Sequence, residues 1–175
     1  MFKIFLTFIF LPILIFVNTA KAKVTPKNYD FTFDKFKTFY PGKTLEEVKK
    51  VHKEVELIKK STTELYRTEI THVRYKFPIY FQIKDGAIID FYARLPNYFI
   101  HDIFHQSLIN RFGKQDKFLN KDGTSFYVWK KADGLKITYS GTCTITCFPV
   151  FVHGIKPTKD SLRESFLDKM NDVLI

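Results

Sequence analysis

"HVRYKFPIYFQIKDGAIIDFYARL", residues 72–95, is the stretch whose reading decides the fold. Its first half alternates. Val73, Tyr75, Phe77, Ile79, Phe81 and Ile83 fall on one side, and His72, Arg74, Lys76, Pro78, Tyr80 and Gln82 on the other. A period of two predicts a strand with one dry and one wet face. Beyond Lys84-Asp85-Gly86 the pattern resumes, with Ile89, Phe91, Ala93 and Leu95 on the apolar side. Parity then predicts the hairpin. A two-residue Asp85-Gly86 turn sets Phe81 opposite Asp90 and mixes core with solvent side chains. A three-residue loop pairs Phe81 with Ile89 and Ile79 with Phe91, so that the faces agree. Pro78 cannot donate to a ladder and implies an edge or a bulge.

Working outward, "TLEEVKKVHKEVELIKK" (44–60) reads as one amphipathic helix. Thr44 and Glu47 have the form of a capping box, and Leu45, Val48, Val51, Val55 and Ile58 make a stripe at spacings of three and four. Glu46–Lys50 and Glu56–Lys60 would be i,i+4 pairs on its wet side. Residues 23–43 are a lead-in rich in Phe31, Phe33, Phe36, Phe39 and Tyr40. On the other side, "NYFIHDIFHQSLINRFG" (97–113) reads as a second helix. Asn97 is its cap, Ile100, Ile103, Phe104, Leu108 and Phe112 its stripe, and Gly113 its stop. "SFYVWKK" and "LKITYS" form a second hairpin about Ala132-Asp133-Gly134, with Trp129 against Ile137 and Tyr127 against Tyr139. The strand "FPVFVHG" follows, and residues 158–174 read as a last amphipathic helix bearing Leu162, Phe166, Met170 and Val173.

The two Asp-Gly hairpins lie 48 residues apart and each follows a helix, which suggests an internal repeat over 44–95 and 97–153. The expected fold is therefore α+β: an antiparallel sheet of two helix-plus-hairpin units, helices packed on one side, with a C-terminal amphipathic helix.

"MFKIFLTFIFLPILIFVNTAKA" (1–22) reads as a cleaved signal peptide. Lys3 opens it, an apolar run spans 4–17, and Ala20-Lys21-Ala22 gives the small-x-small site. Export to the periplasm or beyond follows as an expectation, with 44–175 as a single domain. The leader holds two lysines and no acid, so +8 of the formal +10 stays with the body. Such a basic exported domain suits anionic lipid, envelope polymer or acidic protein as partner, and export argues against nucleic acid.

Two units opening with helices, as in "PGKTLEEVKK" and "FIHDIFHQSLINRFGK", and running on into antiparallel strands resemble small exported bacterial domains. These are the beta-lactamase-inhibitor-protein-like fold and the SmpA/OmlA lipoprotein module. The likeness covers most of residues 41–153 and rests on element order and the Gly-x-Thr-x-x-x-Val helix start. It implies a binding or assembly role and transfers no residue roles. A lipobox cysteine is missing from this sequence.

Chemistry-bearing motifs are sparse. No Gly-x-Ser-x-Gly, Walker or Gly-x-Gly-x-x-Gly sequence occurs, and no cofactor is expected. His101 and His105 share a helix face at i,i+4, as a transition-metal site requires. A third ligand would have to come from His72, Asp90 or His153. A metal-dependent hydrolase centred on this pair is the alternative to a non-enzymatic binding module. A protein inhibitor of a foreign enzyme is a further one. The expected binding surface is the wet face of the first hairpin: Arg74, Lys76, Tyr80, Tyr92 and Arg94. There the expected register sets Lys76 against Arg94, Tyr80 against Asp90 and Pro78 against Tyr92, and the like charges invite an anion or a partner carboxylate.

Cys143 and Cys147 are the only cysteines. Four residues of straight strand would hold them about 13 Å apart, too far for a disulfide, which tolerates about 7 Å. Either they are two thiols on one strand or they clasp a turn at 144–146. Gly141 and the need of "FPVFV" for an antiparallel partner favour the clasp.

Overall fold

The computed structural model describes residues 33–72, 75–143 and 146–157. The leader expected at 1–22 and the helix expected at 158–174 lie outside them. Helix α1 (Phe33–Phe36) runs into a 3-10 turn (Lys37–Phe39), followed by α2 (Leu45–Val51). Strands β1 (Glu56–Lys60), β2 (Glu64–His72), β3 (Tyr75–Lys84) and β4 (Ala87–Arg94) come next. Helix α3 (His101–Phe112) leads to β5 (Lys117–Lys121), β6 (Thr124–Ala132), β7 (Leu135–Cys143) and β8 (Cys147–Ile155). All eight strands join one antiparallel sheet in the order β1-β2-β3-β4-β8-β7-β6-β5.

This corrects the expected architecture. The chain does not form two helix-plus-hairpin units; it forms one continuous eight-stranded sheet of two four-strand meanders, joined where β4 pairs with β8. Three strands were hidden. β1 lies inside the stretch read as helix. The α2 capping box is present, with Glu47 N–H donating to Thr44 Oγ1 at 3.3 Å and Thr44 N–H to Glu47 Oε2 at 2.8 Å. The helix nevertheless ends at Val51, and Val51 and Ile58, two members of the supposed stripe, are 64 % and 46 % exposed. Beyond Val48 the β-branched Val51, Val55 and Ile58 weaken the helix, and β2 offers a ladder instead. The expected Glu56–Lys60 pair is replaced by cross-strand and turn contacts: Glu56 faces Arg67 at 3.6 Å, and Lys60 meets Glu64 at 2.7 Å. β2 alternates Tyr66, Thr68 and Ile70 inward, a set too polar to stand out in sequence.

Three Asp-Gly turns close hairpins: Asp85-Gly86, Asp122-Gly123 and Asp133-Gly134. Each has φ near +50° at the aspartate and near +78° at the glycine. Positive φ at both positions is a two-residue type I′ turn, so the three-residue loops expected at two of them do not form. Parity is restored by bulges. In the first hairpin Ile83 faces Ile88 but Gln82 faces Asp90; Ile89 is the extra residue, and Phe81 lands opposite Phe91. In the second, a shift between Trp129 and Ala132 keeps the expected pairs Trp129–Ile137 and Tyr127–Tyr139.

The described helices pack on one face of the sheet. Phe36 stacks on Phe91 (5.7 Å, 13°), Phe39 meets Phe81 at 5.4 Å, and Phe104 of α3 meets Tyr139 at 5.3 Å. Arg111 near the end of α3 donates to both Asp34 oxygens at 2.8 and 3.0 Å, and Trp129 Nε1–H donates to the Gly113 carbonyl at 2.8 Å. The two short edge strands, β1 and β5, are wholly exposed and lysine-bearing, which discourages edge-to-edge pairing. No helix among the described residues is long and apolar enough to cross a membrane.

Cys143 and Cys147 face each other across the β7–β8 hairpin as a disulfide, Cα atoms 4.1 Å apart. The sequence reading of a clasped turn holds. Cys147→Ser is expected to lower stability by about 2 kcal/mol through loop entropy. A urea titration of parent and variant measures it; equal midpoints would show that the clasp contributes nothing.

Candidate functional site

The sheet has a second face, away from the described helices, and its side chains follow from the observed register. Tyr80 on β3 sits directly opposite Tyr92 on β4, rings 6.4 Å apart. Tyr92 reaches diagonally to Phe151 on β8 at 5.1 Å, and Phe151 reaches Phe126 on β6 at 6.4 Å. Between the last two lies Ser140 on β7, opposite both, buried and with its hydroxyl unpartnered. An aromatic row thus crosses five adjacent strands. Lys76, Arg94 and Lys136 stand on the same face, all exposed. Burial raises the Tyr92 hydroxyl pKa, and Arg94 opposes that shift, which places the guanidinium charge beside the ring.

The expected pairings on this face need correction. Lys76 lies opposite Thr71 on β2, and Arg94 opposite Phe151 on β8, so they are not a like-charge pair. Tyr80 does not face Asp90, and Tyr92 does not face Pro78. The cause is the I′ turn with its bulge, which moves the register by two residues while preserving which side chains share a face. Arg74 lies outside the described residues. Of the five residues expected to bind, Tyr80 and Tyr92 are brought together, and Lys76 and Arg94 lie on the same face. The sequence pattern does not single out Phe126 and Phe151. The alternation within β8 places Phe151 on this face, but its proximity to Tyr92 depends on the β4–β8 pairing, which joins strands about sixty residues apart in the chain.

Under the same face is a polar cluster. Gln82 Nε2–H donates to both Asp90 oxygens, at 2.9 and 3.1 Å, and His153 Nε2 lies 3.3 Å from Asp90 Oδ2. The three side chains are 1 %, 0 % and 2 % exposed. A carboxylate–imidazole pair this deeply sealed cannot meet a solvent-borne substrate, so it organises the β3–β4–β8 seam.

His101 and His105 lie on the opposite, helix-bearing face. The His101 Nδ1 is 2.7 Å from the Tyr139 hydroxyl, and the Tyr127 hydroxyl is 3.4 Å from its Nε2. The two imidazoles lie with centroids 5.7 Å apart, and both nitrogens of His101 already stand against tyrosine hydroxyls. His105 packs on Tyr127 at 4.0 Å, and burial, aided by His101, pushes its pKa down to about 4. Burial lowers the His101 pKa as well and drives that of Tyr139 far up. His72 packs against Phe99, and Asp90 with His153 lies across the sheet, so none of the three supplies the further ligand that a metal would require. Among the described residues no three His, Cys, Asp or Glu side chains are grouped for metal binding. A polar groove of about 560 Å³ opens beside the free end of β2, between residues 51–56 and the rim formed by Arg67, Glu69, Thr71 and Lys76.

No protein-family profile, curated protein or solved structure matches this chain.

Proposed function

We propose that this protein is a non-enzymatic binding module of the cell envelope that receives an acidic protein partner on the outer sheet face. The aromatic row Tyr80–Tyr92–Phe151–Phe126 carries the reading. Aromatic side chains with arginine at the rim are the composition of protein-binding surfaces. The exposed cations beside the row, Lys76, Arg94 and Lys136, outnumber the exposed carboxylate of Glu69, which Arg67 meets at 3.5 Å, and favour a partner rich in carboxylates. The N-terminal stretch read as a leader supports export, and a disulfide suits an oxidising compartment. The resemblance to small exported inhibitor-like and SmpA/OmlA domains points to the same kind of role. The histidine pair does not favour a hydrolytic reading, because both His101 nitrogens stand against tyrosine hydroxyls and His105 packs on Tyr127 on the helix-bearing face.

The test compares partner capture from envelope extract by the parent, by Arg94→Glu with Lys76→Glu, and by Tyr80→Ser. The charge reversals are expected to weaken the captured complex roughly tenfold or more, and Tyr80→Ser by a similar factor. Phe118→Ser, on the distant edge strand β5, should leave it unchanged. A complex equally tight in all four proteins would place the interaction elsewhere.

A further inference from the structure

The outer sheet face is drier than its described neighbours can make it. Gln82, Asp90, Thr138, Ser140 and His153 stand on it by the observed register, and all are buried, Asp90 and Ser140 completely. An antiparallel sheet can leave one face to water, and polar side chains on such a face are then wetted. The described helices give no cover here, since they pack on the opposite face. The dry zone is also bounded. Glu69, Lys76, Arg94 and Lys136 on the same face are exposed, and Leu119, on β5 opposite Phe126, is 61 % exposed. Burial therefore runs from β3 through β4 and β8 to β7 and stops short of the sheet edges. Four strands at the usual spacing are about 15 Å across, a width that one chain segment can cover.

The chain carries such a segment at the right place. β8 ends at Ile155, which lies on the outer face between Asp90 on β4 and Lys136 on β7. Residues 158–175 thus begin three positions beyond the margin of the dry zone. Residues 1–32 lead instead into Phe33, which packs on the helix-bearing face against Phe36 and Phe112. The composition of 158–175 matches the face. Leu162, Phe166, Met170 and Val173 are apolar, as the row of Tyr80, Tyr92 and Phe151 requires of a cover. Asp160, Glu164, Asp168 and Asp172 recur every four residues and outnumber Lys159, Arg163 and Lys169, in a chain whose formal charge is +10. They complement the rim cations Lys76, Arg94 and Lys136. A tethered segment also meets its site at an effective concentration of about millimolar, so modest contacts suffice.

We propose that residues 158–175 dock back on the outer sheet face, across β3, β4, β8 and β7. The docking does not rest on the partner reading of that face; a partner arriving there has to displace the segment. Two measurements on the full chain test it, and neither uses partner capture, so the two readings fail separately. Zero-length carbodiimide coupling in a mixture of ordinary and isotope-labelled chains should join Lys136 or Lys76 to the acids of 158–175 within single chains. Hydroxyl-radical footprinting then compares the parent with the double variant Leu162→Asp, Phe166→Asp, its folding checked by circular dichroism. Labelling of Tyr80, Tyr92 and Phe151 is expected to rise several-fold, while Phe118 and Leu119, already exposed on β5, label unchanged. Coupling only between chains would assign the cover to a second copy. That result, no coupling of these lysines to the segment, or unchanged labelling in the folded variant would each overturn the proposal.

Discussion

Gly154→Ala is expected to lower the stability of the fold by about 3 kcal/mol, a fall in Tm of roughly 6–12 °C for a chain of this size. Gly154 lies on the inner face of β8, opposite Phe91 on β4 and Ile137 on β7. A Cβ there would sit 2.2 Å from Phe91 Cε1 and 2.5 Å from Cζ. The ring has no room to yield. It is fully buried, stacked against Phe36 at 5.7 Å and Tyr40 at 6.0 Å. The backbone has little freedom either, because β4 against β8 is the seam where the two meanders meet. Phe91→Leu added to Gly154→Ala should recover part of the loss, since it removes the atoms that the new methyl strikes. Urea midpoints of the parent, the single and the double variant decide this. A single variant within about 0.5 kcal/mol of the parent, the range of neutral surface changes, would show that the seam is softer than its packing implies. Gly141→Ala repeats the test in the second meander, where the new Cβ would lie 2.3 Å from His101 Nδ1 and 3.3 Å from the Phe148 carbonyl oxygen.

These glycines also mark what sequence reading can and cannot reach. Parity alone sorts the first hairpin correctly into faces: Phe77, Ile79 and Phe81 are buried with Phe91 and Ala93. It fails on register, because an Asp-Gly turn plus a bulge and a three-residue loop produce the same parity two residues apart. The β1 stretch, Glu56-Leu57-Ile58-Lys59-Lys60, continues the three-four spacing of the helix and has no alternation of its own, so only the β2 ladder makes it a strand. The seam between β4 and β8 has no local signal. It is chosen by which faces can close over the helices, with Gly154 and Gly141 leaving the gaps that Phe91 and His101 fill. The candidate site shares that limit: Tyr80 and Tyr92 were legible as hairpin neighbours, while Phe151 and Phe126 join them only through long-range pairing.

The buried histidines make the second large prediction, a loss of stability in mild acid. His105 is held neutral in the fold, with its pKa pushed down from 6.5 to about 4, chiefly by burial. In the unfolded chain it takes up a proton near its ordinary value. Between those two pH values the unfolded state therefore binds more protons than the native one. The contribution of neutral His105 is complete above about pH 6.5 and is lost progressively as pH falls towards 4, by about 3 kcal/mol in total. His101, His52 and His72 are lowered in the same direction, so four of the five histidines act together and the parent should show a steep acid limb. The difference between parent and His105→Gln isolates one of them. Urea unfolding from pH 7.5 to pH 4.5 should show the variant taking up about one proton fewer on unfolding. Its stability at neutral pH should be lower, because it loses the packing on Tyr127, and the two curves should converge in acid. Parallel curves would mean that His105 titrates normally in the fold and that its burial against Tyr127 and Trp129 does not exclude the charged form.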